Sequence, residues 1–343
     1  MTEKVRDISE LGEFGLIDLL TQNIVLKHST SLKGIGDDAA VLESSNENLV
    51  VTTDILTEGI HFDLVYTPLR HLGYKAVVVN LSDVYAMNAQ PQQVLVSIAV
   101  SSKFKVDMIE ELYDGIKLAC EHYKVDLVGG DTTSSLTGLT ISVTAIGRVE
   151  PNRVVYRSGA KPNDLVCVSG DLGAAYMGLQ LLEREKRIFT ETKSAQPDLT
   201  GFEYVLERHL KPEARKDIIN EMLQRNLQPT SMIDISDGLS SELMHLCKQS
   251  AVGCMVYLDK IPVSDEVQTA AEEFNLEPTT IALNGGEDYE LLFTISLSDY
   301  EKVQNWNKVS VIGHIVSQEQ GKYLVASDGS LLELKAMGWN GLQ

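Results

Sequence analysis

Cysteine is scarce in this 343-residue chain: Cys120, Cys167, Cys247 and Cys254 are scattered without a CxxC pair. Buried free thiols are therefore expected, which fits a reducing compartment. No apolar run approaches the roughly 20 residues of a membrane span. The opening stretch, MTEKVRDISELGEF, has no apolar core of signal-peptide length. A cytoplasmic protein without membrane association is expected. Positive charge is also short, with 29 Lys and Arg against 49 Asp and Glu and a net charge of −20. Phosphate backbones and anionic lipid need clustered Lys and Arg, so no nucleic-acid partner is expected.

Familiar catalytic and nucleotide motifs are missing too. There is no GxxxxGK followed by Ser or Thr, since Gly321-Lys322 runs into Tyr323. No protein-kinase signature, Ser-His-Asp order or EF-hand loop is found. Gly34-x-Gly36-x-x-Ala39 meets the loose dinucleotide pattern, but Asp37 and Asp38 would face the pyrophosphate and no clear strand precedes Gly34.

What is present is a soluble composition, 43% hydrophobic, in a chain longer than one core usually serves. Two domains are expected, 1–150 and 151–343, divided at Pro151-Asn152. Spacing predicts helices over Glu10–Leu20, Thr67–Met87 and Val106–Tyr123, then Gly173–Leu182, one starting at Lys211-Pro212, and one running through Lys248. Strands are predicted at Leu49–Thr53, Val94–Val100, Val125–Val128, Leu139–Val149, Leu165–Ser169, Met232–Ile235 and Tyr289–Ile295. Polar, poorly periodic Glu183–Thr200 reads as a mobile connector. This alternation is α/β or α+β. A short internal echo links Asn80-Leu81-Ser82-Asp83 to Asp234-Ile235-Ser236-Asp237.

The chemistry gathers around Val50–Asp63, VVTTDILTEGIHFD, where a β-branched run ends in Thr52-Thr53-Asp54 and leads to His61. Singly, the aspartates read as turn, strand-end and helix-cap residues. As a set, Asp38, Asp54, Asp83, Asp131, Asp234 and Asp237 sit near Gly, Ser or Thr, and most close an apolar segment. Two carboxylates ~4 Å apart repel by roughly 4 kcal/mol at an effective dielectric near 20. A converging set therefore threatens a fold stable by about 5–15 kcal/mol unless protons or cations neutralise it. All-oxygen ligation suits Mg²⁺, and Mg²⁺ usually arrives with phosphates.

Seven blocks, in order, resemble the thiamine-monophosphate kinase family. They are Gly34-Ile35-Gly36-Asp37-Asp38-Ala39-Ala40, Thr52-Thr53-Asp54 with His61, Asn80-Leu81-Ser82-Asp83, and Gly129-Gly130-Asp131-Thr132-Thr133. The others are Arg157-Ser158-Gly159-Ala160-Lys161, Asp234-Ile235-Ser236-Asp237-Gly238-Leu239 and Gly285-Gly286-Glu287-Asp288-Tyr289-Glu290-Leu291. The family belongs with aminoimidazole ribonucleotide synthetase and selenophosphate synthetase. The resemblance implies an N-terminal domain whose strands form a barrel across a homodimer, a C-terminal α+β domain, and transfer of the ATP γ-phosphate to thiamine phosphate.

Carried over by motif, Asp38, Thr52, Thr53, Asp54, Asp83, Asp131, Asp234 and Asp237 would hold several Mg²⁺ ions. Asp54 and Asp131 would share the ion that bridges the reacting groups. Tyr113, Gly130, Asp131, Arg157 and Ser236 would contact ATP, and His61, Glu287 and Trp339 thiamine phosphate. The family's Gly-aromatic-Asp-His-Phe ending is matched at Gly338-Trp339 and departs at Asn340-Gly341-Leu342. Two rivals stand beside this reading. Aminoimidazole ribonucleotide synthesis is disfavoured by Thr52-Thr53-Asp54 with His61, and a non-catalytic cation-binding module would bind metal without turnover.

Overall fold

The structure, a computed structural model, describes residues 8–192 and 197–335. The first sheet has six strands: β1 (Ser31–Lys33), β2 (Ala40–Leu42), β3 (Asn48–Thr57), β4 (Gln90–Val100), β5 (Asp126–Ser134) and β6 (Leu139–Val149). Their order is β1-β2-β3-β6-β4-β5, antiparallel except for the β4–β5 pair. β6 explains the layering, because Leu139, Ile141, Val143, Ala145 and Val149 are buried and alternate with half-buried residues. One face is covered and the other is not.

The covering layer is α2 (Leu69–Ala86), with α3 (Val106–Tyr123) behind it; α1 (Ile8–Thr21) precedes the sheet. Leu72, Ala76 and Val79 of α2 are buried at helical spacing, but so is most of the helix, including Val77 and Val78. Burial on all sides overrides the strand propensity of the triple valine.

The second sheet has seven strands: β7 (Leu165–Ser169), β8 (Ser231–Asp234), β9 (Val252–Tyr257), β10 (Leu291–Ile295), β11 (Val309–Ser317), β12 (Lys322–Val325) and β13 (Leu331–Glu333), ordered β13-β12-β9-β11-β7-β10-β8. Its helices include α4 (Ala174–Thr192), α5 (Glu203–Leu210), α6 (Lys216–Gln224), α7 (Leu239–Ser250), α8 (Asp265–Glu273) and α9 (Pro278–Asn284). The fold is mixed α/β. The largest core is continuous across Pro151, joining Leu81 and Ile116 to Ile218, Phe293 and Trp306. No helix among the described residues is long and apolar enough to cross a membrane, and all four cysteines are buried and free.

Several expectations need correction. β5 does not stop at Val128, and Gly129–Thr133 continue along it. Gly130 permits this, since a Cβ there would lie 1.7 Å from the Val96 carbonyl oxygen on β4. Residues 183–192 are helical, the second half of α4, whose buried Glu185 faces inward. Lys211-Pro212 begins no helix; it separates α5 from α6. A three-residue strand, β1, does precede Gly34, but a strand rather than a helix follows, so the dinucleotide reading fails on topology. The internal echo is not structural: Asn80–Asp83 is helical, whereas Asp234–Asp237 is a strand end and its turn.

Candidate active site

Three carboxylates from three separate segments meet. Asp38 precedes β2, Asp83 lies on α2, and Asp234 ends β8. One oxygen from each lies within 4.8 Å of the others. Asp54 on β3 is close enough to raise the proton affinity of Asp83 and Asp234.

Each member is oriented by a neighbour. Arg157 donates from Nε and Nη2 to Asp38 Oδ1 at 3.1 and 2.6 Å. Thr52 Oγ1 donates to Asp83 Oδ2 at 2.7 Å, and Ser82 Oγ to Asp234 Oδ2 at 2.6 Å. The Asp54 N–H donates to Asn80 Oδ1 at 3.0 Å, and the Asn80 amide is itself fixed by donating to the Ala76 carbonyl. Period-2 alternation along β3 puts Thr52 and Asp54 on the α2 side. Thr53 points the other way, its hydroxyl donating to the Val143 carbonyl at 3.0 Å.

Asp38 and Asp234 are 6% and 3% exposed. Burial pushes Asp38 up to about 7 against the opposing pull of Arg157, and Asp54 to about 6. Burial also carries Asp234 to about 6 despite the Ser82 hydrogen bond. Asp83 is raised well above the usual carboxylate range by burial and then by Asp54 and Asp234. Asp38 Oδ2 is buried without a hydrogen-bond partner. An all-oxygen set with an orphaned buried oxygen and mutual repulsion fits a hard divalent cation.

Asp131 is not part of this group within one chain. It is exposed on β5, an edge strand. β6 and β4 lie between it and β3, so three strand spacings of about 4.8 Å separate the two strands. Ser236 and Asp237 follow β8. The Asp237 N–H donates to Glu242 Oε1 at 3.1 Å, while Glu242 Oε2 is buried without a hydrogen-bond partner. Burial, then Asp237, raise Glu242 well above its ordinary range. Glu242 escaped the sequence reading and Ser82 entered it only as part of a block, because nothing in local spacing marks a helix carboxylate or serine that turns inward.

The segment Gly285–Glu290 lies against the turn after β8. The Glu287 N–H donates to the Ser236 carbonyl at 2.7 Å, and the Tyr289 N–H to that of Ile235 at 2.9 Å. A Cβ at Gly286 would sit 2.2 Å from the Ser236 carbonyl oxygen, so glycine is required there. Glu287 forms an ion pair with Lys75, and its other oxygen lies 3.3 Å from His209 Nδ1, whose imidazole burial keeps toward the neutral form. His61 follows β3, and its Nδ1 accepts the Thr57 N–H at 3.0 Å, placing the ring proton on Nε2. Tyr113, on α3, borders a surface hollow of about 490 Å³ with Phe104, Val106 and Ile109. Trp339 lies outside the described residues.

Residues 36–149 match the family model for the N-terminal domain of AIR synthase related protein. Over 332 residues, 97% of this chain and 98% of the relative, the sequence is 37% identical to the thiamine-monophosphate kinase of Aquifex aeolicus. It is 33% identical to that of Bacillus subtilis, covering 96% of this chain and 99% of the relative. A solved structure described as AaThiL complexed with AMPPCP and TMP superposes with a TM-score of 0.83 at 35% identity, covering 99% of both chains.

Proposed function

The chain belongs to the thiamine-monophosphate kinase family, and we propose that it transfers the γ-phosphoryl group of ATP to thiamine phosphate, giving thiamine diphosphate and ADP. The observation that carries this reading is the convergence of Asp38, Asp83 and Asp234, with Asp54 beside them.

Magnesium would be held by Asp38, Thr52, Asp54, Asp83 and Asp234, with Asp131 and Asp237 contributing at the edges; when bound it supplies the positive charge that lets two phosphates approach. Thr53 turns its hydroxyl away from this centre and takes no part through it. The other requirements of the reaction fall to the chain itself. A phosphate monoester is already largely ionised at neutral pH, so no strong general base is needed. Positioning is the main requirement. Arg157 holds Asp38 by two hydrogen bonds to one oxygen, Thr52 and Ser82 hold Asp83 and Asp234 by one each, and Asn80 fixes the Asp54 backbone, which leaves other carboxylate oxygens available. Gly130 and Ser236 present backbone and hydroxyl to ATP. The apolar hollow beside Tyr113 suits a flat adenine ring. His61, Glu287 and Trp339 are the residues proposed to contact thiamine phosphate. Arg157, committed to Asp38, meets ATP only as part of that pair.

The working unit is proposed to be a homodimer, and each chain to consist of two units, 1–150 and 151–343. β2 covers β3 only as far as Val51, so among the described residues no strand pairs with Thr52 to Thr57 on that side. β5 forms the other open edge of the sheet. A two-fold axis pairing β5 of one copy with β3 of the other would close a barrel. It would also set Asp131 of one copy beside Asp54 of the other.

The test is ADP release with thiamine phosphate, thiamine or formylglycinamidine ribonucleotide as acceptor, with and without Mg²⁺. Turnover only with thiamine phosphate and Mg²⁺ is expected. Turnover with thiamine but not its phosphate would overturn the assignment.

A further inference from the structure

Lys75 is 3% exposed, on the stretch of α2 two turns before Asp83. A lysine is rarely buried so completely unless paired. Its ammonium lies 2.9 Å from Glu287 Oε1 and 3.3 Å from the His209 carbonyl oxygen. The other Glu287 oxygen lies 3.3 Å from His209 Nδ1. Three separate elements therefore meet on one carboxylate: α2 from the first unit, α5 and the Gly285–Glu290 segment from the second.

The backbone beneath this carboxylate is also held. Glu287 and Tyr289 have φ of +64° and +51°, a region that residues other than glycine seldom occupy. Such strain persists where surrounding contacts over-determine it, often at functional sites. Burial pushes the Glu287 carboxyl up, but Lys75 and His209 outweigh it and hold the group well below the usual carboxylate range. Even so, 28% of the Glu287 side chain is accessible. It is clamped from behind and open in front.

We propose that Lys75 is a positioning residue for the phosphate acceptor, acting through Glu287, which it anchors while itself fixed by the His209 carbonyl. This rests on Glu287 belonging to the acceptor site. Because Lys75 comes from the first unit and Glu287 from the second, acceptor binding also senses how the two are docked.

Steady-state kinetics of the full-length enzyme test this with K75M, E287Q and the double variant, varying each substrate. Both single variants are expected to raise KM for thiamine phosphate about tenfold or more, with KM for ATP within about twofold of wild type. Residues that act as a unit are not additive, so the double variant should lie within about threefold of E287Q. A purely structural ion pair would not separate the two KM values. E287Q raising that KM while K75M leaves it unchanged, or the two effects multiplying in the double variant, would overturn the role of Lys75 alone. E287Q without effect on KM for thiamine phosphate would remove Glu287 from the acceptor site and overturn the inference with it. Should K75M fold poorly, K75R takes its place, with the same rise in KM for thiamine phosphate expected and an unchanged KM overturning the role.

Discussion

Asp54 is the residue on which the proposed chemistry turns. Its backbone is pinned by Asn80, so Asp54→Asn should keep the fold while removing the charge. Turnover should drop by about 10²-fold or more at saturating Mg²⁺, with the denaturation midpoint close to wild type; near-normal turnover would remove Asp54 from the centre. The buried carboxylates also predict a pH dependence. Asp38 titrates near 7, and Asp54 and Asp234 near 6, against an ordinary 3.8. Folded values above unfolded ones mean that the stability these groups contribute is complete below about pH 4 and is lost as pH rises through 6 to 7. Without Mg²⁺ the thermal midpoint should therefore fall from about pH 5 to 8. Millimolar Mg²⁺ should offset most of that fall. A flat or rising midpoint in the metal-free protein, followed by scanning fluorimetry at fixed ionic strength, would contradict the clustering. At this scale the sequence singled out Asp38, Asp54, Asp83 and Asp234, which the structure brings together, because their Gly, Ser and Thr neighbours stand out. It was silent on Lys75 and His209, whose contacts arise only when distant segments meet, and on Glu242, which turns back onto Asp237.

The elements hold these residues in register through close backbone contacts. α2 carries both Lys75 and Asp83, and it crosses α3 at a reciprocal glycine contact. A Cβ at Gly73 would lie 1.9 Å from the Leu112 carbonyl oxygen, and one at Gly115 1.9 Å from that of Arg70. Gly73→Ala and Gly115→Ala should each lower stability by about 1–3 kcal/mol in urea unfolding. They should lower activity as well, since α2 must shift; unchanged unfolding midpoints would show that the helices can separate without cost. α3 and β6 were legible to the residue because their periodicity is undisturbed. β5 was cut short in the sequence because Gly129-Gly130 reads as a turn. Its extension depends on Val96 of a neighbouring strand, which no local window contains. The second half of α4 was missed for a related reason: its inward side chains include Glu185, so the apolar stripe fades while the helix continues.

At the scale of the molecule, one chain brings Asp38, Asp54, Asp83 and Asp234 together but leaves Asp131 on an open edge. If a second copy supplies that residue, neither Asp54→Asn nor Asp131→Asn homodimers should turn over, yet random mixing should restore about a quarter of wild-type activity. Half the dimers would then be mixed, each with one intact site. No recovery after subunit exchange would place both aspartates in the same chain's site. Length and Pro151-Asn152 suggested a division into two units, whereas the core that runs continuously past that point was not legible, because it is built from apolar residues far apart in sequence. The central claim is that the carboxylate centre moves a phosphoryl group from ATP onto a phosphate acceptor. It is tested most directly by following the label of γ-³²P-ATP with thiamine phosphate and Mg²⁺. The prediction is label on the terminal phosphoryl group of thiamine diphosphate, matched one for one by ADP and abolished by chelating the metal. Label released only as inorganic phosphate, or transferred to thiamine and not to its phosphate, would contradict it.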